Sequence, residues 1–237
     1  MRALSPSDVL NLWESGRALH PLDQGVLAIR MSLPDASGDS IADWPLGRRN
    51  RALAALRRAC FGSELRGRTT CPHCSEPVEF ELDAGALAEP PEAEVEAVTV
   101  SGETFRLPTS RILASVVDAP DPDTAAARLC DRCRMGMETR DGDAPLLSPE
   151  DIDRIGEAMA EADPLAEIAF DFECPACGTA FREGLDPAEF FWSEIEVEAR
   201  RLLIEVHTLA AAYGWREHEV LGLSPARRAF YLERVLG

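Results

Sequence analysis

Two short segments constrain this chain more than any others. Cys71-Pro72-His73-Cys74 and Cys174-Pro175-Ala176-Cys177-Gly178 are both Cys-Pro-x-Cys knuckles. Such a turn points backbone amides at the sulfurs and orients two thiolates toward one point. Four thiolates at about 2.3 Å suit a tetrahedral zinc ion, and a site closed in this way leaves no position for a substrate. The two segments also align without a gap: Cys71, Pro72, Cys74, Leu82 and Asp83 match Cys174, Pro175, Cys177, Leu185 and Asp186. They read as pseudo-equivalent halves of a zinc ribbon. Ribbons usually hold their knuckles about 15–20 residues apart, whereas residues 75–173 intervene here. The expected site, one structural Zn2+ on Cys71, Cys74, Cys174 and Cys177, is therefore assembled across a large insertion. Metal binding is then coupled to tertiary folding.

A second reading is redox. Cys71-Pro72-His73-Cys74 resembles the active-site tetrapeptide of thioredoxin-like disulfide oxidases, which would make the chain a thiol-disulfide oxidoreductase using Cys71 and Cys74. That chemistry needs the first cysteine at a helix N-terminus, where amides and dipole depress its pKa. The residues after Cys74 instead read as a strand, and the second knuckle would be unexplained. His73 is expected to face solvent. Cys130-Asp131-Arg132-Cys133 continues a helical pattern and lacks the proline or glycine of a knuckle. With Cys60 it offers three thiols for a second metal but no fourth ligand, and buried cysteines acting as small apolar residues are the better account. His20, His207 and His218 are isolated, and no glycine-rich phosphate loop or serine-nucleophile elbow is present. No catalytic residue is expected, and no small-molecule substrate.

Charge removes further classes. The chain has 42 acidic against 24 basic residues, a net charge of −18. So acidic a body repels phosphate backbones, which argues against nucleic acid as a partner. All basic residues are arginine, and the absence of lysine excludes a Walker loop and Schiff-base chemistry. No apolar run is long enough to span a membrane, and the first residues lack a signal-peptide pattern. A cytoplasmic location is expected, where cysteines stay reduced and seven of them point to metal or catalysis before disulfides.

The pattern along the chain predicts an α+β protein, mostly helical, with a split zinc-ribbon β-unit. Residues 1–65 form a helical region, with helices around Val9–Trp13, from Leu22 to Pro34, and over Leu53–Cys60 up to Gly62. Arg48, Arg49, Arg51, Arg57, Arg58, Arg66 and Arg68 cluster there against the single acid Glu64. They read as a solvated face, or alternatively as a docking patch for an acidic partner. Residues 66–185 hold the β-unit and a mixed insertion. Val78, Phe80 and Leu82 alternate as a strand, Ile168, Phe170 and Phe172 as another, and a hairpin turns at Ser101-Gly102. Helices are expected near 108–117 and 123–135, and another starts at Ser148-Pro149. Residues 186–237 are helical. Asp186-Pro187-Ala188-Glu189 reads as a capped start with a capping-box glutamate. Trp192, Ile195, Ala199, Leu202, Val206 and Leu209 then make one apolar seam, and Gly214 closes the helix. Ser224-Pro225 caps a last helix bearing Ala229, Leu232 and Val235.

With these residues in view, the chain resembles zinc-knuckle proteins encoded in phage-tail-like contractile injection clusters. It is also similar, toward its C-terminus, to baseplate assembly proteins of contractile-tailed phages. Leu46-Gly47-Arg48-Arg49, Cys60-Phe61-Gly62, both knuckles and Phe105-Arg106-Leu107-Pro108-Thr109-Ser110-Arg111 carry the likeness, with Ala212-Tyr213-Gly214-Trp215 and Ser224-Pro225 through Arg227-Arg228 as its most specific piece. The resemblance implies a non-enzymatic component or assembly chaperone whose partners are tail or baseplate proteins. It carries over the four knuckle cysteines as metal ligands, and Tyr213 and Trp215 as packing or docking residues.

Overall fold

A computed structural model of the chain describes all residues except 84, 90–92 and 137–146. Helices α1 (Pro6–Gly16), α2 (Pro21–Ser32), α3 (Gly38–Ala42) and α4 (Leu46–Phe61) come first. Helix α3 lies where the sequence pattern reads as a polar loop: Ser37 caps it, and Ile41 is its only fully buried side chain. One buried residue in five leaves no periodic signal to detect.

The long helix α8 (Pro187–Tyr213) is the spine of the main core. Trp192, Ile195, Ala199, Leu202 and Leu209 of the expected seam are buried, and Val206 is half-buried. Trp192, Ile195, Ala199, Leu202 and Val206 pack in one core with Val9, Leu10 and Leu12 of α1, Ala28 and Ile29 of α2, and Leu53 and Leu56 of α4. The seam is therefore used inside the chain. Asp186 caps α8 by accepting from the Ala188 and Glu189 amides, but the reciprocal bond of a capping box is not formed. Gly214 ends the helix at φ 69°, a left-handed conformation that glycine adopts without strain. Helices α9 (Glu217–Leu221) and α10 (Pro225–Leu236) fold back on α8.

On α10 the sequence expectation needs correcting. Ala229 is exposed, while Leu232 and Val235 are only half-buried. The residue that enters the protein is Arg228, 2% exposed, whose Nε donates to Glu205 Oε2 at 2.9 Å and whose NH1 donates to the Leu223 carbonyl at 2.8 Å. Arginine is buried where a carboxylate and a carbonyl satisfy it, and that pairing has no sequence periodicity. The arginine cluster is corrected for the same reason. Arg49 and Arg57 are buried rather than solvated. Arg49 donates to Asn50 Oδ1 and to Ser110, and Arg57 grips Glu194 with two bonds of 2.8 and 3.1 Å. Arg58 and Arg68 are exposed, Arg66 pairs with Glu64 and Glu81, and Arg48 lies over the Trp44 ring.

A second, smaller core occupies the insertion. The hairpin β3 (Ala97–Val100) and β4 (Glu103–Arg106) turns at Ser101-Gly102, as its sequence predicts. After the short α5 (Ser110–Ala114), helices α6 (Pro122–Cys133) and α7 (Pro149–Ala162) cover it. Phe105, Leu107, Cys130, Cys133, Ile155 and Met159 fill the space between them. Asp163, just after α7, joins this unit to the helical body. Its Oδ2 accepts from the Gly47 amide at 2.8 Å, capping the start of α4, where Pro45 supplies no side-chain cap. A Cβ on Gly47 would fall 1.7 Å from that carboxylate, so glycine is required for the approach.

Candidate metal centre

The two knuckles sit at the tips of two antiparallel hairpins. Strands β1 (Glu64–Thr70) and β2 (Pro77–Asp83) form the first, with Leu65 opposite Leu82 and Thr70 opposite Pro77. Strands β5 (Ile168–Glu173) and β6 (Ala180–Leu185) form the second, with Ile168 opposite Leu185 and Glu173 opposite Ala180. The gapless alignment seen in the sequence is thus also an equivalence of register. What unites them across the insertion is the helical body: β1 leaves α4, and β6 enters α8. The Arg57–Glu194 pair ties those two helices together, and Arg57 NH1 also donates at 2.7 Å to the carbonyl of Gly62, at the exit of α4. Fixing the two hairpin bases in this way points both tips at each other.

Each tip is built identically. The Ser75 amide donates to the Cys71 carbonyl at 2.9 Å and the Cys71 amide to Glu76 at 2.9 Å; Gly178 to Cys174 and Cys174 to Thr179 repeat the pattern at 2.8 and 3.0 Å. The turn forces a left-handed residue after the second cysteine. It is Ser75 at φ 61° in one half and Gly178 at φ 70° in the other. Beneath the sulfurs, Phe172 packs on Phe80 of the opposite hairpin at 5.2 Å between ring centroids and on Phe181 at 5.5 Å.

The four sulfurs of Cys71, Cys74, Cys174 and Cys177 all lie within 4.8 Å of one another, a group that can hold a metal ion. The Cys71–Cys177 and Cys74–Cys174 sulfurs are 3.7 and 3.6 Å apart. Bonds of 2.3 Å to a tetrahedral ion require edges of about 3.8 Å, so the donor set fits a four-thiolate centre. Cys71 and Cys174 are buried, whereas Cys74 and Cys177 reach solvent. Among the described residues no other group of three or more His, Cys, Asp or Glu side chains converges in this way.

The electrostatics also suit a cation. Cys177 is pulled down to about 6, chiefly by the Thr179 hydroxyl, 3.3 Å from its sulfur, and by the Thr179 amide. The Glu76 amide favours the Cys74 thiolate, but the sulfurs of Cys177, Cys174 and Cys71, together with desolvation, push Cys74 up to about 12. Of these two sulfurs Cys177 therefore ionises readily, whereas Cys74 holds its proton. A dication displaces that proton. The readily ionised sulfur is Cys177, whereas the redox reading relies on Cys71. Strand β2, not a helix, follows Cys74, so no helix dipole acts on Cys71.

The remaining candidates lie apart. Cys130 and Cys133 are enclosed in the second core, where burial pushes the Cys133 thiol up to about 12. Cys60 is half-buried, raised by burial, and accepts from the Leu4 amide. These thiols behave as the small apolar residues expected. His20 has a local task that sequence reasoning missed: its Nδ1 accepts from the Leu22 amide and caps α2. Its place just before Pro21 was the available signal. No helix among the described residues is long and apolar enough to cross a membrane. No protein-family model, curated protein or solved structure matches the chain.

Proposed function

We propose that the centre is a structural zinc site and that the chain is a non-enzymatic adaptor whose two sequence halves this site staples together. The observation that carries the reading is the tetrahedral spacing of four cysteine sulfurs drawn from two hairpins. Four thiolates complete the shell of the ion, so it keeps no position for substrate or activated water. When bound, zinc supplies cohesion rather than chemistry. The chain's own residues do the positioning: the Arg57–Glu194 pair sets the hairpin bases, the knuckle amides orient the sulfurs, and Phe172 fills the space below them.

The resemblance to baseplate assembly proteins supplies the partner class, tail or baseplate subunits of a contractile particle. An acidic surface suits transient contact with basic partners. The test has two parts. Metal analysis of the purified chain should find one zinc per chain, lost in the Cys71→Ser and Cys174→Ser variants; iron in its place, or no metal, overturns the zinc assignment. Mass spectrometry of proteins co-purifying from the native host should find tail subunits. Their presence in assembled particles indicates a component, and in lysate alone a chaperone. Tail subunits in neither fraction refute the partner class.

A further inference from the structure

We propose that the centre is also a site of oxidative modification by peroxide, at which the metal staple is exchanged for two disulfides between the hairpins, Cys71–Cys177 and Cys74–Cys174. The proposal rests on the metal-centre reading above, and two observations carry it. The first is access. One cysteine of each knuckle, Cys74 and Cys177, is exposed, while Cys71 and Cys174 are each 1% exposed. An oxidant therefore meets one reactive sulfur on each hairpin. The second is pairing. The close contacts of 3.7 Å for Cys71–Cys177 and 3.6 Å for Cys74–Cys174 each join an exposed sulfur to a buried one on the opposite hairpin. Each exposed cysteine thus has its resolving partner across the gap between hairpins.

The chemistry is the ordinary oxidation of paired thiolates. The thiolate of Cys74 or Cys177 attacks hydrogen peroxide; an S–O bond forms, the O–O bond breaks, and hydroxide leaves. The buried partner thiolate then attacks that sulfur, forming S–S and expelling a second hydroxide. Hydroxides take up protons to give water. For the whole centre, four thiolates pass four electrons to two peroxide molecules, four protons are consumed, and four waters and free Zn2+ result. Because both bonds run between hairpins, the two halves of the chain stay tied while the metal leaves. Disulfides within each knuckle would instead release one hairpin from the other.

The test uses the full chain, reduced, loaded with zinc and analysed for metal before treatment. Hydrogen peroxide is then titrated in while a chromophoric chelator reports zinc, and disulfides are mapped by mass spectrometry of unreduced peptides. Zinc should be released completely at about two peroxide molecules per ion. Linked peptides should join Cys71 to Cys177 and Cys74 to Cys174, and dithiothreitol with zinc should restore the starting state. Disulfides within the knuckles, sulfinic acids as the main product, or zinc retained in large peroxide excess would overturn the proposal. A chain that takes up no zinc at the outset refutes the metal reading instead. The same mapping on the reduced, metal-free chain then decides the pairing by itself. The metal-free variant carrying Cys74→Ser and Cys177→Ser keeps only the two buried sulfurs of the centre, and these should react at least about tenfold more slowly. An unchanged rate would remove the access argument.

Discussion

Around α8, sixteen buried apolar residues drawn from six helices close one core; among the described residues, the cluster between the two hairpins has just Cys71, Val78 and Cys174 buried, with Phe172 and Phe181 at its edge. The helical body has enough apolar surface to hold itself. The hairpin pair does not: two isolated two-stranded sheets are marginal in water. The same chain therefore uses the hydrophobic effect in one region and, in our reading, metal–thiolate bonds in the other. The difference shows why a four-cysteine site can serve cohesion alone. It lies where burial has run out.

The largest expected effect separates the regions outright. Removing metal with a chelator, or replacing Cys174 by serine, should abolish amide protection in β1, β2, β5 and β6. Structural zinc contributes about 10–16 kcal/mol in small zinc domains, far more than three buried residues supply. Far-UV circular dichroism at the helical minimum should change little, because α1, α2, α4 and α8 keep their core. Collapse of the helical signal together with hairpin protection would show that the two regions form one cooperative unit.

The complementary perturbation strikes the other side. Ile195 is fully buried on α8, and Ile195→Ala should cost about 2–5 kcal/mol through lost contacts and a cavity. Urea unfolding followed at the helical signal should shift accordingly, with metal content unchanged under native conditions. Loss of zinc at the same urea concentration as the helices would tie the centre to the helical core more tightly than this comparison allows.

The regions also differ in how legible they were. Both knuckles, their gapless alignment, the α8 seam and the proline-led caps of α7, α8 and α10 are local patterns, and local patterns survive in sequence. What sequence reading missed depends on partners far along the chain. Arg57 meets Glu194, Arg49 meets Ser110, and Arg228 meets Glu205; charged residues read as exposed unless such partners are known. The sequence placed four sulfurs in one candidate site but not their asymmetry: which sulfurs face solvent and which lie under the hairpins follows only from assembly.

Asp163 tests the joint between the insertion and the helical body. Burial raises its pKa from the ordinary aspartate value, although the Gly47 amide and the Arg51 charge oppose that shift. A carboxyl raised in the folded state stabilises the fold most below its unfolded value of about 3.9 and contributes less as pH rises through the folded value. Asp163→Asn keeps an acceptor for the Gly47 amide without the charge. Its stability relative to the parent should therefore improve from pH 4 to pH 7. Asp163→Ala removes the cap and should cost about 1–2 kcal/mol. Thermal melts of both variants at the two pH values distinguish cap from charge; equal losses in both would show that the carboxylate charge itself holds α4.

The smallest expected effects lie inside the metal centre, at the left-handed position that follows the second cysteine of each turn. Ser75 and Gly178 occupy the same left-handed position, at φ 61° and 70°. An L-residue there carries strain of about 1–2 kcal/mol, partly offset because it has less conformational freedom to lose on folding than glycine. Nothing lies within 4 Å of a Cβ added to Gly178, so Gly178→Ala reports backbone strain without a clash. It should weaken zinc binding about fivefold, the equivalent of about 1 kcal/mol. Ser75→Gly should tighten binding about twofold, the equivalent of about 0.4 kcal/mol. Competition with a chelator of known affinity reads both. Opposite shifts would establish that the two knuckles are equivalent and that the first carries the strain its partner avoids. If both substitutions weaken binding, Ser75 contributes something beyond its backbone angle, and the pseudo-symmetry of the centre stops at its sulfurs.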